Sequence, residues 1–480
     1  MHQLSGQDAL FLHTESEKLP QHTLSVNIYN PATAGSGNVT YADIVAHFKQ
    51  RLSRSAILRQ RLAEVPLALD QPYWLEAADY PVEAHIQHLA LPHQADWQGL
   101  CKLVGYLHAN PLNKAQPLWE AYIIEGLDGI EGVPDGSFAL VLKVHQAALN
   151  GVGGTELNNA LHDLTPLPLD YPRQAPLPVD RQPGGLDLLG RAYSNSWHKL
   201  GKLGDVATQA LPALLRIRDG NKDGTFASLK DNVKLRFNGR VSSSRVVGAR
   251  RFDYKSVCRI RNAVRGATLS DAMLTVVSGA LRHYLQERNE LPKQSLISGC
   301  SFNGRHIGGP QQSGEAPGLM NVSLCSDISN PRQRLAAVRQ AALQSRALAQ
   351  AVGSQLPVNA ADALPALLFS GLASLSRRSG ILPAAAATRN TVVRTMPGLQ
   401  RALFLAGAQF VTGFNAGPLI AGVGLAHTVT STSPDKHGEI VLAFTACPTM
   451  LPDPQHYEQC LQRAFDESLV AAQQAAQEVA

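Results

Sequence analysis

"FALVLKVHQAALNG", Phe138 to Gly151, is the stretch on which the reading of this chain turns. Phe138 to His145 is a short apolar run, too short for a free-standing helix and dense enough to be a buried strand. It ends at Asn150-Gly151, a pair that tolerates positive φ and tight turns. A strand that delivers His145 to such a turn sets an imidazole at a strand end, where reactive groups sit at the mouth of α/β sheets. A lone histidine is nonetheless more often a satisfied core or surface residue. The stretch alone leaves both readings open.

Outward from it, helices and strands alternate. Tyr41 to Leu62 reads as a helix with Ile44, Val45, Phe48 and Leu52 on one face. "TLSD" at Thr268 to Asp271 is a capping-box-like helix start, which makes Asp271 a helix-start residue. Asn330-Pro331 and Asp453-Pro454 pair an N-cap residue with proline at the first helical position. Gly424 to Thr432 and Glu439 to Cys447 are strand-like runs separated by the turn-rich "SPDKHG". The class is α/β, with mixed sheets in both halves.

A chain of 480 residues exceeds what one core usually organises. The stretch from Thr165 to Gly185 holds six prolines and marks a boundary. The expected division is 1–165, a connector with an amphipathic helix at 166–245, and 246–480. In the connector, Leu186 to Arg218 places Leu189, Tyr193, Trp197 and Leu200 at helical spacing, with Arg191, Lys199 and Lys202 between them, and is broken near Gly201 to Gly204 and at Pro212. Its apolar stripe either packs between domains or lies on an anionic membrane surface.

Composition narrows the function. A net charge of +5 with scattered basic residues argues against nucleic-acid binding. Six widely spaced cysteines without a Cys-x-x-Cys pair fit a reducing compartment and no zinc ribbon. The N-terminus lacks the basic and apolar regions of a secretory signal. The uncharged run from Ala402 to Ala426 contains five glycines and Pro418, and reads as buried strands with turns instead of a membrane span. Neither a Walker loop nor a dinucleotide fingerprint is present, and "GVGGTELNN" after the turn reads as a helix start. The expected location is the cytoplasm, with the inner membrane or lipid inclusions as a possible peripheral surface.

"LSGQDALFLHTES", "NPLNKAQPLWEAYIIEGLDG", "VHQAALNGVGGTELNNALHDL", "ATLSDAMLTVVSGALRHYLQERNELP" and "LFLAGAQFVTGFNAGPLIAGVGLAHTVTS" resemble, in order and spacing, the bacterial wax ester synthase/diacylglycerol acyltransferase family. The resemblance implies two chloramphenicol-acetyltransferase-like domains with a channel between them. It also implies transfer of a long acyl chain from acyl-CoA to a fatty alcohol or diacylglycerol. No cofactor or metal is implied, since CoA enters with the substrate.

In that family the turn reads His-His-x-x-x-Asp-Gly, and the second histidine takes the proton of the attacking alcohol. By position, His145 matches the first histidine, Gln146 the base and Asn150 the aspartate, while Gly151 is kept. A carboxamide is neither a useful acid nor a useful base near neutral pH. Gln146 can donate a hydrogen bond to a thioester carbonyl but cannot take the proton.

Gly314-Glu315 replaces a Gly-Asn pair, and "RTMPGL", Arg394 to Leu399, replaces Ser-Asn-Val-Pro-Gly-Pro. Backbone-shaping residues survive where polar ones have changed. His145, re-aimed by a bulge, and His427 are the candidate substitute bases. Trp119 of "PLWE" is either channel-lining or core, and Arg305 pairs with a CoA phosphate or sits in a surface ion pair. Two functions follow: an acyltransferase with weak or altered activity, or a silent relative that binds acyl-CoA, neutral lipid or a partner protein.

Overall fold

The computed structural model describes residues 1–77, 80–92, 96–149, 153–167, 180, 183–195, 233–302, 318–352, 389–396, 398–399, 401–432 and 438–479. Asn150, Gly151, Trp197, Arg305, Gly314 and Glu315 lie outside the described residues.

Twelve strands build two mixed six-stranded sheets. In chain order they are β1 (His22–Asn30), β2 (Ile86–Ala90), β3 (Trp119–Glu125), β4 (Phe138–His145), β5 (Val246–Asp253), β6 (Ile297–Phe302), β7 (Gly318–Ser323), β8 (Thr391–Thr395), β9 (Phe404–Leu405), β10 (Ala408–Ala416), β11 (Leu425–Ser431) and β12 (Glu439–Ala446). The first sheet runs β9-β10-β1-β4-β3-β2 and the second β7-β6-β8-β11-β12-β5. Only β2/β3 is parallel in the first; β6/β8 and β8/β11 are parallel in the second.

The helices that flank the two sheets are α1 (Gly6–Thr14), α2 (Tyr41–Arg51), α3 (Trp97–Ala109), α4 (Gly153–Leu161), α5 (Tyr254–Asn262), α6 (Leu269–Gln286), α7 (Pro331–Val352) and α8 (Pro454–Val479). Local chemistry sets several of their starts. Thr40 and Asp43 close a capping box on α2, and Thr268 and Asp271 close another on α6. α7 and α8 open at Pro331 and Pro454, as the Asn-Pro and Asp-Pro pairs predict. Asn330 caps α7 through Gln333, but the Asp453 carboxylate is turned to Tyr284 and Arg288.

Three expectations need adjustment. Helix α2 stops at Arg51, and Gln60–Ala63 is a strand instead of further helix. The serine-rich "LSRS" is a poor helix continuation, and the Arg51 guanidinium is drawn to Asp163. Residues 185–195 are helical, but Leu188 and Ala192 form the buried face, against Val65 and Tyr73, while Tyr193 is 69% exposed. Leucines at 186, 188 and 189 leave the helix phase ambiguous, and the small Ala192 settles it by allowing close approach. Third, β9 and β10 leave the 246–480 segment and hydrogen-bond into the first sheet through β1. The uncharged run from Ala402 is thus strand and turn, as expected, but its first part, to Ala416, serves the opposite sheet.

The seam between the sheets has its own apolar core. Leu24, Val26, Leu100, Val104 and Val141 from the first half pack with Val247, Ala249, Phe414, Val441 and Ala443. Gly105 of α3 lets the helix approach this seam: a Cβ there would lie 2.9 Å from the Arg245 carbonyl oxygen.

Candidate active-site turn

β4 ends at His145, and the chain then tightens into a 3-10 turn, Gln146–Ala148. The turn is held at both ends. The Gln146 N–H donates to Gln21 O at 2.8 Å, and the Leu149 N–H donates back to Gln146 O at 3.1 Å. His145 itself acts as the cap, its Nδ1 accepting the Ala147 N–H at 3.1 Å. That bond uses the ring's acceptor lone pair and leaves Nε2 as the protonated nitrogen.

Nε2 faces Glu15 Oε1 at 3.4 Å, an electrostatic contact longer than an ideal hydrogen bond. Glu15 follows α1 and also meets Lys114 Nζ at 2.6 Å and the Gln21 N–H at 3.3 Å. Burial pushes the Glu15 carboxyl up, but His145 and Lys114 outweigh it and hold the group at about 2. The arrangement therefore orients His145 as a fully buried strut for the turn. It does not present a free lone pair.

Gln146 is half-buried, and its side-chain amide donates to Thr23 Oγ1 on β1. Beside it, His22 pairs with His145 across the β1/β4 ladder. His22 Nε2 donates to His108 O at 2.8 Å, and His108 Nε2 donates to Gly417 O at 3.1 Å. The two rings stand 4.9 Å apart, both fully buried, with Nδ1 lone pairs that meet no hydrogen-bond donor among the described residues. Burial depresses His22 far below the usual imidazole range and His108 to about 3. Such rings are poor proton acceptors at neutral pH. Lys143, also fully buried, meets Glu120 at 3.0 Å.

His427 lies in the core of the second half. Its Nδ1 contacts Thr391 Oγ1 at 3.1 Å and its Nε2 contacts Tyr457 OH at 2.8 Å; burial holds it at about 3. Trp119 is likewise core: it stacks on Phe48 at 5.7 Å and donates its indole N–H to Leu58 O at 3.3 Å. Trp119 packs in the same core as Ala147 and Ala148 of the turn, whereas His427 belongs to the second sheet.

A cavity of about 500 Å³ opens at the carboxyl ends of β8 and β11, lined by Thr268, Ser270, Thr395, Met396, Gly398 and Ser431 among others. It is walled in part by the "RTMPGL" loop, whose Met396 N–H bonds Val429 O at 2.8 Å. Carboxyl ends of parallel strands are where open α/β sheets receive ligands.

A family model described as the wax ester synthase/diacylglycerol acyltransferase catalytic domain matches residues 4–273, and the corresponding C-terminal domain matches residues 313–468. The chain belongs to the wax ester synthase/diacylglycerol acyltransferase family. These are acyl-CoA-dependent O-acyltransferases. A relative from Mycobacterium tuberculosis (strain ATCC 25618 / H37Rv), named as a diacylglycerol O-acyltransferase, is 29% identical over 470 residues, spanning 94% of this chain and 87% of the relative.

Among solved structures, the wax ester synthase/diacylglycerol acyltransferase from Marinobacter aquaeolei VT8 aligns with a TM-score of 0.67 at 22% identity, covering 98% of this chain and 100% of that one. A mutant starter condensation domain of rhizomide synthetase RzmA, in complex with C8-CoA and Leu-SNAC, aligns at 0.54 and 15% identity, covering 98% and 94%. Both likenesses establish the fold, two mixed-sheet halves of the acetyltransferase-like kind.

The sequence located the turn but missed Glu15, His22, His108, Lys114 and Lys143. His22 and Lys143 are marked by polar side chains within strand-like runs. Nothing in spacing links Glu15 to His145, because their contact is made only by folding.

Proposed function

We propose that this chain binds a long-chain acyl-CoA and a lipid alcohol, and that it transfers the acyl group slowly because no base stands at position 146. In the reaction, the alcohol oxygen attacks the thioester carbonyl, the C–S bond breaks, and the hydroxyl proton ends on the departing CoA sulfur. One N–H of Gln146 is engaged by Thr23; the other is a donor for a developing oxyanion. Without a base, positioning and this donor carry the rate, and roughly 100- to 10,000-fold is forgone. The observation that carries the reading is the commitment of both His145 nitrogens, one to the turn and one toward Glu15.

The test is acyl transfer by the purified protein, beside Gln146→His with Asn150→Asp. A slow parent that still binds acyl-CoA, together with a faster double variant, supports the reading. A parent with no turnover at all but intact acyl-CoA binding favours the silent lipid-binding relative. Brisk parent activity that survives His145→Asn removes the argument.

Peripheral contact with a membrane or lipid inclusion belongs to the same proposal. Among the described residues no helix is long and apolar enough to cross a membrane. Leu67 is 83% exposed at a left-handed backbone position, and Gly185 faces the nearby Pro66 ring, next to Leu186, which is 84% exposed. Leu67→Asp with Leu186→Asp is expected to reduce flotation with anionic phospholipid vesicles. Unchanged flotation would exclude this surface.

A further inference from the structure

Away from the seam, the C-terminal end of α6 meets the first turns of α8. Glu287 caps α6 and brings Oε2 within 2.6 Å of His456 Nε2. His456 and Cys460 are four residues apart on α8, so they share a face, with Sγ 3.8 Å from the same Nε2. The three ligand atoms all lie within 4.8 Å of one another. Two arginines flank the cluster: Arg463 donates through Nε to Glu467 and brings Nη1 to 3.5 Å from Glu287 Oε1, and Arg288 is engaged by Asp453.

We propose that Glu287, His456 and Cys460 form a binding site for a divalent transition-metal ion of the zinc class. Zinc bonds of roughly 2.0–2.3 Å in a tetrahedron place neighbouring ligand atoms about 3.3–3.6 Å apart. The His–Cys separation nearly meets that already. The His–Glu separation must open by roughly 0.7 Å to admit the ion, and Glu287 is an exposed side chain at a helix end.

Carboxylate and thiolate together balance a dication, and the exposed side leaves a fourth position to water. On binding, the Cys460 S–H bond breaks, an S–metal bond forms, and the proton passes to solvent. The imidazole and thiolate set selects against magnesium and calcium, which take oxygen ligands. The ion would clip the end of α6 to the start of α8, one residue from Tyr457, and so would act on the stability of the second half instead of on acyl transfer.

The experiment is a Co²⁺ titration of the full-length, tag-free, reduced protein. It should give a thiolate-to-cobalt charge-transfer band, with the visible bands of a four-coordinate ion, saturating at one equivalent. Cys460→Ser should abolish the charge-transfer band, His456→Gln and Glu287→Gln should weaken binding, and Cys258→Ser or Cys325→Ser should leave it intact. Zn²⁺ should raise the melting temperature of the parent and not of Cys460→Ser.

Cys460→Ser is nearly isosteric, and its circular dichroism without metal reports whether it folds; if it does not, His456→Gln carries the same test. The proposal is overturned if no charge-transfer band appears at about tenfold excess cobalt. It is equally overturned if the band survives Cys460→Ser or disappears with Cys258→Ser.

Discussion

Replacing Glu15 by glutamine probes the element that aims the active-site turn. The carboxyl is held at about 2 instead of 4.5 by His145 and Lys114, against the opposing effect of burial. That depression is worth about 3 kcal/mol in favour of the ionised, folded form at pH 7. Lys114 is partly exposed and can rehydrate, so the expected loss in Glu15→Gln is about 2–3 kcal/mol. That lowers the melting temperature by roughly 4–12 °C for a half of the chain unfolding as a unit of about 250 residues.

The pH dependence fixes the sign. A depressed carboxyl contributes its full stability above its unfolded value, near 4.5, and loses it as pH falls toward 2. The parent's contribution from this group should therefore shrink from about 3 kcal/mol at pH 7 to about 1 kcal/mol at pH 3. Urea unfolding of parent and variant at both pH values reads the gap. In the Gln146→His background, the same change should lower kcat about 10- to 100-fold, because the ring that caps the turn loses its anchor. A gap below 1 kcal/mol, or one that does not narrow with acid, would refute the assignment.

Three further outcomes are expected. Arg51 Nη2 and Asp163 Oδ2 form a 2.6 Å ion pair with both side chains buried; Asp163→Asn should cost about 3–5 kcal/mol by urea unfolding, while Arg51→Met with Asp163→Leu costs far less. Burial holds His47 and His162 at about 4 and His108 and His427 at about 3, so their contribution is complete above 6.5 and lost as pH falls below it, by about 1 kcal/mol each at pH 5.5. A melting temperature that stays flat from pH 7.5 to pH 5 would contradict this. Gly105→Ala should cost about 1–3 kcal/mol, since its methyl meets the Arg245 backbone and not a movable side chain; a neutral effect would mean that the seam is looser than it stands here.

By itself the sequence determined the local elements and the central chemical fact. The capping start at Thr268, the proline starts at Pro331 and Pro454, and the apolar run into His145 act over a few residues, so they are legible from neighbours alone. The amide at Gln146 is legible in the same way, because a carboxamide is no base wherever it is placed.

Tertiary structure alone decided what surrounds that amide. Glu15 reaches His145, His22 aligns with it across the β1/β4 ladder, and His108 bonds a carbonyl beyond β10. The strand pair β9/β10 crosses to the opposite sheet for the same kind of reason. Each of these contacts joins residues far apart in the chain, and burial energies that depend on the assembled seam select them, so no local pattern carries their signature.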